Sequence, residues 1–195
     1  LADSPETQSQ YPVAVDFLAD NHVLVCGASG AGKTTLLQTL IYSLAARYTA
    51  DDAHLYIADF SSRTMAVFGQ LPQVGSVMFE GDDQKIQETV DLLQETLEQR
   101  KKSFAAKGIG SFKEYVSQER DCPALVFIID NFVAFNESYG QYEDTLVQLS
   151  REGGSYGIYL VIACNNTGDL RSRLRQNFTC GIALQMPDKY EYESV

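Results

Sequence analysis

The chain has 195 residues, 45% of them hydrophobic, and a formal net charge of −11 at pH 7. The length suits one α/β domain, and the hydrophobic fraction can form a core and excludes wholesale disorder. No apolar run approaches about 18 residues, so the sequence predicts no membrane-spanning segment. So acidic a chain argues against a surface that tracks nucleic acid, which needs a basic stripe, and favours protein partners.

The first residues are polar and contain prolines at positions 5 and 12. We expect residues 1–21 to form a lead-in or linker, with a short strand or turn over 12–21, and residues 22–195 to form the domain. The chain starts at Leu1 rather than Met and has no secretion signal, which indicates a fragment of a longer protein. Membrane attachment elsewhere in that protein stays open.

A phosphate-binding loop is predicted between the first core strand and the first long helix. The apolar run 23–25 is followed by Gly-x-x-x-x-Gly-Lys-Thr from Gly27 to Thr34. Glycines let such a loop wrap closely, partly at positive φ, and its amides face an anion at the start of the helix. Lys33 would reach the outer phosphates of a nucleoside triphosphate, and the Thr34 hydroxyl would ligate Mg²⁺. The predicted nucleotide-binding residues are Gly27, Ala28, Ser29, Gly30, Ala31, Gly32, Lys33, Thr34 and Thr35.

The rest of the chain alternates between helical and strand-like hydrophobic patterns. Helices are predicted over 33–48, 82–105 and about 141–152, and strands over 54–60, 75–79, 125–129, 157–166 and 179–186. Ser111 is predicted to cap a short helix, and 170–175 to form a short helix or a turn. This order, without a hairpin signal, predicts an α/β fold with a mainly parallel sheet and helices on both faces.

Asp130 ends a buried apolar strand, as the metal-side residue of a phosphate-loop NTPase does. It would hold Mg²⁺ through water, opposite Thr34. Asn131 follows, where many ATPases of this architecture have a Glu that activates the attacking water. An amide cannot accept a proton, and losing a general base costs about 10²- to 10⁴-fold in rate. We therefore favour a site that binds nucleotide without turnover over a slow enzyme, and predict no catalytic residue.

Several other polar residues have two interpretations each. Asn165, at the end of strand 157–166, would contact the γ-phosphate or water as a sensor, or would form a turn with Asn166. Asp59 would lie near the nucleotide edge of the sheet or form a turn. Glu143 and Glu152 would replace the missing base only if the fold brought them inward; Glu137 lies too far along the chain.

The cysteines and the basic run are assigned structural roles. Cys26, Cys122, Cys164 and Cys180 are widely spaced, which predicts buried thiols rather than a disulfide frame or a zinc site. The run 100–102 is interpreted as favourable charge at the end of a solvated helix.

The chain resembles the FtsK/SpoIIIE class of P-loop ATPases, and within it the last, degenerate module (the third, C-terminal one) of the EssC/EccC family of type VII secretion motors. The residues that support this lie between 22 and 188: HVLVCGASGAGKTTLLQTLIYSLA, LYIADF, FGQLPQVGSV, the stretch 99–101, FIIDNFVAF, LSREGGSYGIYLVIACNN and GIALQMPD. The resemblance implies a RecA-like fold, ATP with Mg²⁺, neighbouring ATPase modules in a chain or ring, and export of small helical WXG-type substrates. It also implies a cytoplasmic domain of a membrane-anchored protein, with adenine contacts near residues 186–192.

Two departures from the family pattern bear on hydrolysis. One is Asn131; the other is Gly154, which stands where related sequences often have an Arg that acts on a neighbouring site. An arginine of this kind raises the hydrolysis rate about 10³- to 10⁵-fold in GTPases. Two interpretations are open for the nearby arginines: they substitute for the missing Arg, or they are solvated residues. These arginines are Arg151, Arg171, Arg173 and Arg175. Three alternatives stay open: an ATPase active only in an assembled ring, a DNA translocase, and a protein-docking module without ATP.

Overall fold

The computed structural model describes residues 2–4, 8–11, 14–118, 122–186 and 188–195. The N-terminal stretch forms two short antiparallel strands, β1 (Ala2–Ser4) and β2 (Ser9–Tyr11). Helix α1 (Phe17–Asp20) follows, and the Asp16 carboxylate accepts a hydrogen bond from the amide of Leu18 at 3.0 Å. The described part of 12–21 is thus a capped helical turn rather than the expected strand or turn, because Asp16 satisfies its first amides.

The main sheet has six described strands, all parallel. They are β3 (Val23–Cys26), β4 (Ala53–Asp59), β5 (Val74–Met78), β6 (Ala124–Asp130), β7 (Ile158–Cys164) and β8 (Cys180–Ala183). Their order across the sheet is β5-β4-β6-β7-β3-β8. Strand β3 therefore lies between β7 and the edge strand β8, and β7 separates it from β6. The predicted parallel α/β fold is confirmed.

Helices cover both faces of this sheet. They are α2 (Lys33–Arg47), α3 (Asp83–Lys107), α4 (Phe112–Gln118), α5 (Phe132–Tyr139), α6 (Glu143–Glu152) and α7 (Ser172–Arg175). Successive strand residues point to opposite faces. Val23 and Val25 accordingly belong to the cluster that contains Leu37 of α2, whereas Leu24 and Cys26 belong to the cluster on the other face. No helix in the described ranges is both long and apolar enough to cross a membrane.

Helix α5 is absent from the sequence prediction, which places the next helix only at about 141. Its buried residues Phe132, Phe135 and Tyr139 have helical spacing, but they follow the apolar strand β6 with only Asn131 between. Asn131 adopts φ 69°, which breaks the strand and starts the helix. A local conformational change at one residue thus hides an element boundary inside a continuous apolar stretch.

The basic run 100–102 lies within α3, before its last turn, and is not simply a solvated cluster. Arg100 is only 8% exposed, and its guanidinium lies 5.5 Å from the centre of the Phe112 ring. It donates hydrogen bonds to carbonyls of residues 123, 156 and 157 at 2.6–3.3 Å. Burial lowers the pKa of Arg100. The interpretation as exposed charge is therefore wrong for this residue, which ties α3 to the segments entering β6 and β7.

Candidate nucleotide-binding site

The loop between β3 and α2 has the geometry that its glycines predict at two positions. Gly30 has φ +80° and Gly32, immediately before α2, has φ +97°. A side chain is strained in this region, so these two positions require glycine. Gly27 is constrained differently, because an added Cβ would lie 2.9 Å from the Cβ of Leu184. The loop thus depends both on left-handed backbone and on close packing against the segment after β8.

Lys33 lies at the first position of α2 and turns its ammonium back into the loop. Its Nζ donates to the carbonyl oxygens of Gly27 at 2.6 Å and Ala28 at 3.0 Å. A third bond reaches Oδ1 of Asn165 at 3.0 Å, from the end of β7. The ammonium therefore connects both sides of the loop and the neighbouring strand, at the place where the motif binds the outer phosphates.

The two predicted magnesium residues are in direct contact. Thr34 Oγ1 donates to Oδ2 of Asp130 at 2.6 Å, across 96 positions of sequence. Asp130 is 1% exposed, and burial raises its pKa; the Thr34 hydrogen bond opposes this rise and the nearby Asp59 adds to it. A hydroxyl and a carboxylate are oxygen donors that suit Mg²⁺. The chemistry of these two residues fits the metal, and the roles of Thr34 as ligand and of Asp130 as its partner through water stay predictions.

These residues line one cavity of about 370 Å³ at the C-terminal edge of the sheet. Its walls are formed by Ser29, Gly30, Gly32, Lys33, Thr34, Thr35, Ser61, Asp130, Asn131, Cys164 and Asn165. Of the predicted loop residues, Gly27, Ala28 and Ala31 are not part of this lining. Ser61 and Cys164 were missed by the sequence interpretation, since a serine in a turn and a cysteine in a strand have no motif spacing. Among the lining residues, Asp130 is the only carboxylate.

Asn131 lines the cavity with its side chain already engaged. Its Nδ2 donates to the carbonyl of Phe60 at 3.1 Å. The remaining Oδ1 can accept a hydrogen bond from water but cannot remove its proton at neutral pH. The structure therefore places at this position a group that orients and does not ionise.

The two asparagines after β7 make different contacts: Asn166 forms the turn, and a sensor role for Asn165 stays a prediction. Asn165 presents its side-chain oxygen to Lys33, whereas Asn166 caps the 3₁₀ turn Thr167–Asp169. The Asp169 carboxylate accepts from the amides of Asn165 at 2.8 Å and Asn166 at 3.1 Å. The turn thus fixes the backbone from which Asn165 reaches the loop.

The other acidic candidates do not supply a base. Asp59 pairs in register with Asp130, but its carboxylate accepts from the amides of residues 61, 62 and 65 at 3.0–3.1 Å, so it forms a turn. Glu143 is buried and pairs with Arg171 at 3.1 Å. Glu152 pairs with Lys101 and with Arg151. Neither glutamate lines the cavity.

Gly154 lies at the opposite edge of the sheet, just before β7. An added Cβ there would approach Cγ of Asn21 to 2.9 Å. The four arginines considered as substitutes do not line the cavity of this chain. Arg173 pairs instead with Asp144 at 3.3 Å.

The segment after β8 borders the loop. The amide of Ala28 donates to the carbonyl of Gln185 at 2.8 Å, and the Met186 amide donates to the Tyr192 hydroxyl at 2.9 Å. Tyr190 is 67% exposed nearby in sequence. Gln185 thus lies beside the phosphate loop, and adenine contact near residues 186–192 stays a prediction.

A phosphate loop between β3 and helix α2 of a parallel sheet, with Thr34 bonded to Asp130 from a strand two places away, defines a P-loop NTPase of the RecA-like type. The model of the FtsK/SpoIIIE family matches residues 2–194. The chain belongs to the FtsK/SpoIIIE family.

Known relatives are components of type VII secretion systems. The ESX secretion system protein EccC of Geobacillus thermodenitrificans is 31% identical over 192 residues; the match covers 98% of this chain and 13% of that protein. The solved Thermomonospora curvata EccC (ATPases 2 and 3), in complex with a signal sequence peptide, has a TM-score of 0.91 and 32% identity, over 97% of this chain and 36% of that one. The solved cytoplasmic domain of EssC has a TM-score of 0.88 and 29% identity; the match covers 97% of this chain and 37% of that one.

These matches confirm the resemblance to ATPase domains of type VII secretion motors. They also show that the chain spans only 13% of the length of the Geobacillus relative. The activity, substrates and partners of the whole protein are therefore matters for proposal.

Proposed function

We propose that the chain is an ATP-binding module, the C-terminal one, of a type VII secretion motor, with weak or no hydrolysis and a structural or regulatory role. One observation supports this most directly: the cavity contains Lys33 and the Thr34–Asp130 pair, but Asn131 occupies the place of the base. Such a lining offers groups that hold a polyphosphate and offers no carboxylate apart from the metal-side Asp130.

Each residue has a defined task in binding. The loop amides and Lys33 would hold the phosphates, with Lys33 exchanging its present carbonyl acceptors for phosphate oxygens. Thr34 would ligate Mg²⁺ and Asp130 would hold it through water; the ion would neutralise phosphate charge. Asn131 and Asn165 would orient a water molecule by hydrogen bonding. Because neither amide accepts a proton, the attacking water would stay un-ionised and turnover slow.

The expected partners follow from the relatives. The chain would pack with neighbouring ATPase modules of the same polypeptide or ring, and take part in recognition of WXG-type substrates, in line with the signal sequence peptide bound by the Thermomonospora relative. It would be a cytoplasmic domain, like the solved cytoplasmic domain of EssC, and would reach a membrane only through other parts of its parent. The net charge of −11 disfavours the alternative of DNA translocation.

The deciding experiment measures binding and turnover on one sample. Isothermal titration with Mg²⁺-ATP is expected to give saturable binding, while phosphate release stays well below about 1 s⁻¹. A purified chain that hydrolyses at about 1 s⁻¹ or faster would contradict the claim of weak hydrolysis. Repeating the assay with neighbouring modules present tests the alternative of a ring-dependent ATPase, which predicts a rate that rises on assembly.

A further inference from the structure

Two buried thiols meet at the base of the cavity. Cys26 ends β3 and Cys164 ends β7; they are register partners in neighbouring parallel strands. Their sulfur atoms are 3.3 Å apart, and the residues are 0% and 1% exposed. Cys164 also lines the cavity, which gives a small molecule a route to the pair.

The positions of these cysteines link them to Lys33. Cys26 directly precedes Gly27, and Cys164 directly precedes Asn165. The carbonyl of Gly27 and the side chain of Asn165 are both hydrogen-bond acceptors of the Lys33 ammonium. A bond between the two sulfur atoms would therefore join the bases of the two segments that hold Lys33.

We propose that Cys26 and Cys164 are an oxidation site, at which a hydroperoxide joins the two thiols in a disulfide that weakens nucleotide binding. A normal S–S bond is about 2.05 Å long, so the sulfur atoms must approach from their present 3.3 Å. This movement falls on the strand ends next to Gly27 and Asn165. A displacement of about 1 Å of the groups in a functional site can lower its activity on the order of 100-fold.

The chemistry balances with hydrogen peroxide as the oxidant. The Cys26 thiolate attacks one oxygen, the O–O bond breaks, and the departing hydroxide takes a proton to leave as water. Cys26 is then a sulfenic acid. The Cys164 sulfur attacks the Cys26 sulfur, the S–O bond breaks, and the second hydroxide leaves with the Cys164 proton as water. Two thiols have lost two hydrogens, and one peroxide has become two waters.

The environment suits Cys26 as the attacking group. Its hydrogen bond with Cys164 lowers the pKa of Cys26, whereas the same bond and burial raise the pKa of Cys164. Thiolate attack on an oxidised sulfur is also the route by which a dithiol reductant reverses the disulfide.

The first test maps the bond in the reduced wild-type chain. The chain is treated with hydrogen peroxide, alkylated, and digested with a protease in the absence of reductant. We expect a peptide in which residues 26 and 164 are cross-linked, and we expect dithiothreitol to remove it. The Cys180→Ser variant should give the same peptide and Cys164→Ala should not. Saturating Mg²⁺-ATP should slow the oxidation several-fold by blocking the cavity. The proposal is overturned if the folded chain gives no 26–164 peptide, or pairs these thiols with Cys122 or Cys180 instead.

The second test measures nucleotide affinity by titration before and after oxidation. The effect on binding rests on the proposed function, so the reduced chain is measured first; if it fails to bind Mg²⁺-ATP, the proposed function is wrong, whereas the peptide map still decides the oxidation site. If it binds, we expect the mapped disulfide form to bind at least tenfold more weakly and dithiothreitol to restore affinity. Equal affinity in the two forms would overturn the claimed coupling.

Discussion

The two edges of the sheet each have a polar hollow, and they differ in what their polar groups contact. At the C-terminal edge, Lys33, Thr34 and Asp130 face a cavity of about 370 Å³. At the N-terminal edge, a hollow of about 260 Å³ is lined by groups that include His22 and Ser150.

Several groups of the N-terminal hollow are bonded within the protein. His22 Nδ1 accepts from the amide of Leu160 at 2.9 Å, and Asn177 donates to the hydroxyl of Ser150 at 2.9 Å. Burial lowers the pKa of His22 to about 4, so it is neutral at pH 7. Arg151 also lines this hollow and pairs with Glu152. A polar hollow is therefore not by itself a binding site: at this edge these groups bond within the protein, whereas at the loop edge a cation and a carboxylate together line the open space.

The largest expected effect is at the loop edge. Lys33→Ala should weaken Mg²⁺-ATP binding by about 100-fold, because charged hydrogen bonds to phosphate contribute on the order of 3 kcal/mol. Lys85→Ala is the matched control, since Lys85 is an exposed lysine of α3 that pairs with Asp82; its affinity should equal that of the wild type. Titration calorimetry measures both. Unchanged affinity in Lys33→Ala would favour a docking module that does not use ATP.

The next effect concerns His22 and stability. Between pH 4 and 6.5, His22 binds fewer protons in the folded chain than in the unfolded chain. Its contribution to the free energy of unfolding is therefore complete above pH 6.5 and is lost as the pH falls towards 4. Chemical denaturation should give a free energy of unfolding about 2 kcal/mol lower at pH 5 than at pH 7 from this group.

His22→Gln isolates that contribution, because it removes the titrating group and keeps a polar side chain of similar size. The difference in free energy of unfolding between wild type and variant should change between pH 4 and 6.5, while ATP affinity at pH 7 stays the same. A variant with the same pH profile as the wild type would show that His22 is not the titrating group.

A smaller effect is expected from restoring a base. Asn131→Glu should raise ATP turnover about tenfold, part of the range for a general base, with a stability cost of about 1 kcal/mol because Asn131 has φ 69°. Phosphate release and thermal unfolding measure the two effects. Asn131→Gln is the control, since it has the same length as Glu and no basic group. No gain in rate would indicate that neighbouring modules, rather than the base, are missing.

The smallest effect tests whether the N-terminal edge tolerates a side chain at 154. Gly154→Ala should lower the free energy of unfolding by about 1 kcal/mol, because the added Cβ would crowd Asn21. Gly140→Ala is a matched control, as the nearest atom to its Cβ is 3.8 Å away. Adding Asn21→Gly, which removes the crowding side chain and tolerates the φ of 58° at position 21, should recover the loss relative to Asn21→Gly alone in denaturant unfolding. Failure to recover would mean that backbone conformation, not Asn21, restricts this position.

Local sequence patterns explain much of the fold and part of the site. The strand, glycine loop and helix around Lys33 are adjacent in sequence, and their spacing follows from backbone requirements that are visible in the residues. Helix α5 escaped prediction because Asn131 changes the chain direction within an apolar stretch. Arg100 was misplaced because its three carbonyl acceptors come from residues 123 to 157, which no local pattern relates to α3.

The sequence by itself determined the alternation of strands and helices, the phosphate loop, and the absence of a carboxylate at Asn131, since each depends on neighbouring residues. Only the tertiary structure decided that Thr34 contacts Asp130, that Asp59 forms a turn, and that Cys26 meets Cys164. The physical reason is the parallel sheet: it brings distant strand ends to one edge, and its strand order, set by packing across the whole core, determines which ends become neighbours.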